Sequence, residues 1–142
     1  MQLTNNFSLE ELVFSQTASR LGLDNTPVKG IFNNLINTAE NMELVRNVLN
    51  GQPIMISSGY RSPEVNAAVG GSKSSQHMQG KAVDFTCPKF GSPSTIIRAI
   101  KNSGIKFDQL ILEFDSWVHI SFSDPNRKQV LIADRNGIRN FA

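Results

Sequence analysis

A single domain built from both helices and strands is predicted for this chain of 142 residues. Three observations predict it. Residues Ile31 to Leu49 carry Leu35, Ile36, Ala39, Met42, Leu44, Val45, Val48 and Leu49 at helical spacing. Pro53–Ser57 and Ala82–Cys87 are short apolar runs bounded by turn residues, the pattern of core strands. Phe107–Phe114 and Trp117–Phe122 flank a tight turn at Asp115-Ser116 and read as an antiparallel hairpin. No repeat, linker or low-complexity stretch divides the chain, so residues 1–142 are taken as one unit.

The elements follow in order. Ser8 is placed to cap a short helix, with Glu11 three residues on completing a capping box and Phe7 and Leu12 as its hydrophobic staple. That helix ends near Phe14, and Ser15–Arg20 forms a second helical turn. Asn25-Thr26-Pro27 is a break, because the residue before proline avoids the helical region. The long helix stops at Asn50-Gly51, where glycine can take the left-handed conformation. After the first strand, Ser58-Gly59-Tyr60-Arg61-Ser62 leaves as a loop, and Ser62-Pro63-Glu64 opens a short helix to about Val69. Gly70–Ser75 is a loop that delivers His77; it lacks the G-x-x-x-x-G-K-[ST] spacing of a phosphate loop.

Within Ala82–Cys87, Asp84 alternates with Val83 and Phe85 and so points to the other face. An acid in an apolar strand needs a partner or a metal. Ser94–Asn102 is an amphipathic helix carrying Ile96, Ile97 and Ile100. The hairpin admits two registers. A two-residue loop places Glu113 on the opposite face from His119, whereas a three-residue loop, Phe114 to Ser116, puts Gln109, Glu113 and His119 on one face. Lys128–Ala133 is expected as the last strand, at a sheet edge, before a turn at Asp134–Gly137.

Composition excludes several classes. Fourteen Lys and Arg against twelve Asp and Glu leave a net charge of +2, with no basic run, so no nucleic-acid partner is expected. A mildly basic surface suits an anionic polymer such as a bacterial cell wall. One cysteine, Cys87, rules out an internal disulfide and reads as a small buried hydrophobe. The first residues lack the basic and apolar regions of a secretory signal, so synthesis in the cytoplasm is expected. No apolar run approaches 18 residues, so no membrane partner is expected either.

The chemistry concentrates in Ser75–Asp84, which reads S-x-H-x-x-G-x-A-x-D, and in Trp117-Val118-His119. Both histidines of the chain fall in these motifs. His77, Asp84 and His119 are three competent zinc ligands, and three protein ligands leave one position open, the pattern of a catalytic zinc. A zinc peptidase is therefore expected. It needs a general base: Glu113, six residues before His119 and of matching strand parity, is the first candidate, and Asp115, four before, is the alternative. Arg61 is the candidate cation for the oxyanion. Ser75 and Tyr60 flank the motifs as candidate contacts to substrate carboxylate or backbone, Gln109 is a further cleft candidate, and Trp117 reads as cleft wall or core.

These motifs resemble the zinc D-alanyl-D-alanine carboxypeptidase and dipeptidase family, and most closely its short single-domain members often found in bacteriophages. The likeness extends over Phe7–Leu12, Ser15–Ala18, Asn25-Thr26-Pro27, Ser58–Pro63, Asn66, Gly70-Gly71-Ser72 and Phe107–Ile111. It implies an α+β fold in which a small antiparallel sheet carries the zinc and helices pack on one face. Its zinc-bearing core is similar to that of lysostaphin-like endopeptidases and the hedgehog signalling domain. By resemblance, His77, Asp84 and His119 hold Zn2+, Arg61 stabilises the transition state, and Ser75 is the serine of the motif. Several members carry the catalytic glutamate three residues before the second histidine, where this chain has Ser116; others of the wider fold carry it six before, at Glu113. The implied substrate is a peptidoglycan peptide, cut by a monomeric enzyme of phage endolysin type that is released to, or delivered at, the cell wall. The competing expectation is a zinc-stabilised module that binds the wall, or builds a phage particle, without cleaving.

Overall fold

The computed structural model describes residues 1–142. Six strands form one sheet: β1 (Met55–Ser58), β2 (Ala82–Thr86), β3 (Gln109–Glu113), β4 (Trp117–Ser121), β5 (Gln129–Asp134) and β6 (Gly137–Asn140). Their order across the sheet is β1-β2-β4-β3-β5-β6. The helices are α1 (Leu9–Val13), α2 (Gln16–Leu21), α3 (Lys29–Val48), α4 (Pro63–Ala68) and α5 (Pro93–Lys101), with a 3-10 turn at Gln76–Gln79. The fold is α+β, as the resemblance implies. The four strands β1-β2-β4-β3 are antiparallel, while β3 and β5 run parallel, so the whole sheet is mixed.

The expected caps form. Ser8 Oγ accepts from the Glu11 N–H at 3.1 Å and the Glu11 carboxylate accepts from the Ser8 N–H at 3.0 Å. Ser62 caps α4 with Pro63 at its first position. No helix is long and apolar enough to cross a membrane.

The two faces of the sheet have separate duties. Val83, Phe85, Leu110, Leu112, Val118 and Ile120 point to one side and are buried against Leu35, Ala39, Met42 and Val45 of α3 and Ile96, Ile97 and Ile100 of α5. Fully burying each such side chain is worth roughly 1.5–3 kcal/mol, so this layer supplies most of the folding drive. Their alternates, Asp84, Ile111 and His119, point to the other side, beneath the 3-10 turn. That alternation puts polar chemistry and apolar core on the same strands without conflict.

Lys128–Ala133 is not the edge that its sequence suggests. The strand β5 pairs with β3 on one side and β6 on the other, and β6 is the edge. The chain returns after Asp134 through Arg135-Asn136, with Gly137 at φ 104°, and Arg139 clasps Asp134 at 2.9–3.0 Å. All four residues of β6 are exposed. Its pairing is a backbone matter, and no burial pattern marked it.

Candidate metal centre and catalytic cleft

One 3-10 turn and two strands converge on one point. The 3-10 turn carries His77, capped by the Ser75 hydroxyl, which accepts from the His77 N–H at 3.2 Å. Gly80 ends the turn at φ 70°, and Thr38 of α3 donates to its carbonyl at 2.7 Å, anchoring the turn to the long helix. Asp84 on β2 lies directly opposite His119 on β4. All three side chains are buried, and their ligand atoms lie within 4.8 Å of one another.

The donor set fits a metal ion. The ring Nδ1 of His77 is 2.7 Å from the Gly59 carbonyl, which can only accept, so Nδ1 carries the proton. In the neutral ring Nε2 is then unprotonated, and it faces Asp84 Oδ1 at 3.2 Å. The same oxygen is 2.9 Å from His119 Nδ1. The His77 Nε2 lone pair, a His119 ring nitrogen and a carboxylate oxygen thus meet at one place, a donor set that a cation can take up. The Gly59 carbonyl is the outer hydrogen-bond partner that fixes a metal-binding imidazole. Burial pushes the Asp84 carboxyl up, but the His119 and His77 rings beside it outweigh that effect and hold it well below the usual carboxylate range. It is therefore ionised, as a ligand must be.

Gly59 is dictated by packing. A Cβ there would sit 2.3 Å from the Leu12 carbonyl at the end of α1. The next residue uses the same contact, Tyr60 N–H donating to Leu12 O at 2.7 Å. Asn25 completes the clamp: its amide donates to Val13 O and Tyr60 O, and its Oδ1 accepts from the Ser62 N–H at 2.7 Å.

That clamp aims Arg61 at the centre and Tyr60 away from it. Arg61 Nη2 lies 3.5 Å from Asp84 Oδ2, while Nε donates to Ser58 and Nη1 to Asn66 at 3.2 and 3.3 Å. Ser58 reaches this position because a bulge in β1 brings it opposite Asp84. Tyr60, expected beside the substrate, is instead buried in the hydrophobic core and does not line the cleft. Neighbouring residues of an extended loop point in opposite directions, and Arg61 takes the cleft side.

The hairpin adopts the three-residue loop, with Phe114 and Asp115 both at φ 52°. Glu113 pairs with Trp117 and Ile111 with His119. This register places Glu113 in the cleft, 3.9 Å from His119 Nδ1. The Trp117 indole N–H donates to Glu113 Oε1 at 2.9 Å. Asp115 is exposed on the turn and does not line the cleft. Cys87 is buried, 3.1 Å from Pro53 O, and stands outside the ligand group.

The cleft has a volume of about 650 Å³ and a single apolar lining residue, Ile111. Arg61, Ser75, Gln109 and Glu113 line it, with Ser72, Ser74, Gln76, Gln79 and Arg127. Sequence reasoning gave no role at the site to Asn66, Ser58 and Asp108, which it named within the likeness, and passed over Arg127. Asp108 carried the signal already used for Asp84, an acid beside an apolar strand; its partner carried none.

Residues 5–121 match the family model of Peptidase M15. The chain belongs to the Peptidase M15 family. The match spans the three converging ligands, Arg61 and Glu113, and stops at the end of β4. M15 members are zinc peptidases, and this M15 chain brings together a ligand set suited to that ion. No curated protein matches the M15 chain.

Proposed function

We propose that this protein hydrolyses peptide bonds of bacterial peptidoglycan, as a D,D-carboxypeptidase or endopeptidase. The observation that carries the reading is the Glu113 carboxylate in the cleft, 3.9 Å from His119 Nδ1. It is a base poised at the metal centre. The polar cleft supports the substrate class, since wall peptides offer many backbone and carboxylate groups to bind.

His77, Asp84 and His119 would hold zinc, which when bound supplies a Lewis acid that activates water and polarises the scissile carbonyl. Glu113 accepts the proton of the attacking water and returns it to the leaving amine. The Trp117 N–H holds Glu113 in place for both transfers. Arg61, fixed by Ser58 and Asn66, donates to the oxyanion that develops on the carbonyl. Ser75 and Gln109 are polar contacts for the peptide along the cleft.

Mass spectrometry of purified peptidoglycan fragments tests the reading, with zinc-loaded protein set against a chelator-treated control. Loss of a terminal D-alanine, or a split cross-link, in the zinc sample alone supports it and names the bond. Unchanged fragments from several wall types, with zinc still bound, would make the protein a binding module.

A further inference from the structure

Arg127 is a second cation of the cleft, and the mechanism above leaves it unused. It comes from the loop between β4 and β5. The strand order places Arg61, against Asp84 on β2, and Arg127, just ahead of β5, on opposite sides of the ligands. Strand β5 lies two strands from β4, about 10 Å at the usual spacing. The arginine side chain spans part of that gap, and one or two extended residues at about 3.3 Å each fill the rest.

The guanidinium is fixed from behind. Asp108, 2% exposed, accepts from Arg127 Nε at 2.9 Å, from Nη2 at 2.7 Å and from its backbone N–H at 2.8 Å. Gln76 also donates to Asp108, at 2.8 Å, and itself lines the cleft. The loop is already tied to the residues just ahead of β3 by backbone bonds from Lys128 N–H to Phe107 O and from Gln129 N–H to Asp108 O. The buried carboxylate therefore does more than hold the loop; it sets the orientation of the guanidinium. Nη1 bonds to no protein group, and the side chain is 52% exposed. A preorganised guanidinium with free donors in a polar cleft is suited to a carboxylate and loses little rotamer freedom on binding it.

We propose that Arg127, held by Asp108 and Gln76, binds a substrate carboxylate one or two residues from the cleaved bond. This rests on the peptidase reading, and it adds a requirement that substrates carry a free carboxylate at that place. A chain-terminal carboxylate and an acidic side chain offer the same chemistry.

Three probes separate the sources: N-acetyl-L-Lys-D-Ala-D-Ala, its C-terminal amide, and the amide with D-Glu as last residue. Their binding to zinc-loaded Glu113→Gln protein is measured by calorimetry, and their cleavage by the chain with Glu113 intact. Arg127→Gln should weaken binding of at least one carboxylate probe about tenfold or more and raise its KM, with kcat little changed and the plain amide unaffected. The probe that loses affinity names the source. Asp108→Asn, which keeps the cation but loosens it, should give a smaller loss of the same kind. Equal losses on all probes, or none, overturn the proposal. If wild type cleaves neither a probe nor cross-linked peptidoglycan fragments while Arg127→Gln still loses a carboxylate probe selectively, the peptidase reading fails and the subsite stands.

Discussion

The indole N–H of Trp117 donates to the Glu113 carboxylate at 2.9 Å, across the strand pair that closes the β3–β4 hairpin. The tryptophan thus holds the Glu113 carboxylate, and it is neither among the residues that line the cleft nor part of the hydrophobic core. Its bond reaches Glu113 without touching the metal ligands.

Replacing Trp117 with Phe keeps an aromatic ring and removes the donor. A hydrogen bond to a charged group is worth about 1.5–3 kcal/mol, so kcat should fall about tenfold or more. Zinc content, measured by atomic absorption on the purified variant, should stay at the wild-type value. A fall in zinc content matching the fall in kcat would assign Trp117 to the metal centre instead.

Gly59→Ala tests how the first histidine is oriented. The new Cβ meets the Leu12 carbonyl at 2.3 Å, so the loop must shift, and with it the carbonyl that fixes His77. Zinc affinity should drop about 10–100-fold in a chelator competition, with a lower melting temperature. Wild-type zinc affinity in this variant would remove the Gly59 carbonyl from the account.

Asp108 gives the chain a specific acid sensitivity. Hydrogen bonds from Arg127 outweigh burial and bring its carboxyl down to about 2, with Gln76 and the charge of Arg127 adding to the effect. The folded pKa is depressed, so the contribution is full above the unfolded value of about 3.9 and is lost as pH falls toward 2. Between pH 5 and pH 2.5 the urea midpoint of wild type should therefore fall further than that of Asp108→Asn, which lacks the contribution throughout. Parallel curves would contradict it.

Much of this was legible because single residues carried it. Ser8 and Glu11, Pro63 and the isoleucines of α5 mark their elements by local chemistry. Asp84 announced itself as an acid in an apolar strand, and the two histidines as the only ones in the chain. The hairpin register was readable only as a choice between two loops, because alternation along β3 and β4 is the same in both. Pairings across the fold left no trace. The parallel partner of β5, the edge strand β6 and the reach of Arg127 back to Asp108 depend on how the chain crosses the start of β3. Tyr60 was misplaced for a related reason: only the Leu12 contact decides which of Tyr60 and Arg61 faces the cleft.

The most direct test compares zinc-loaded wild type and Glu113→Gln on the same peptidoglycan fragments, read by mass spectrometry alongside the zinc content of each protein. New fragments from wild type alone, with equal zinc in both, are the predicted result. Equal turnover by Glu113→Gln would remove Glu113 as the base, and intact fragments from zinc-loaded wild type would contradict the peptidase.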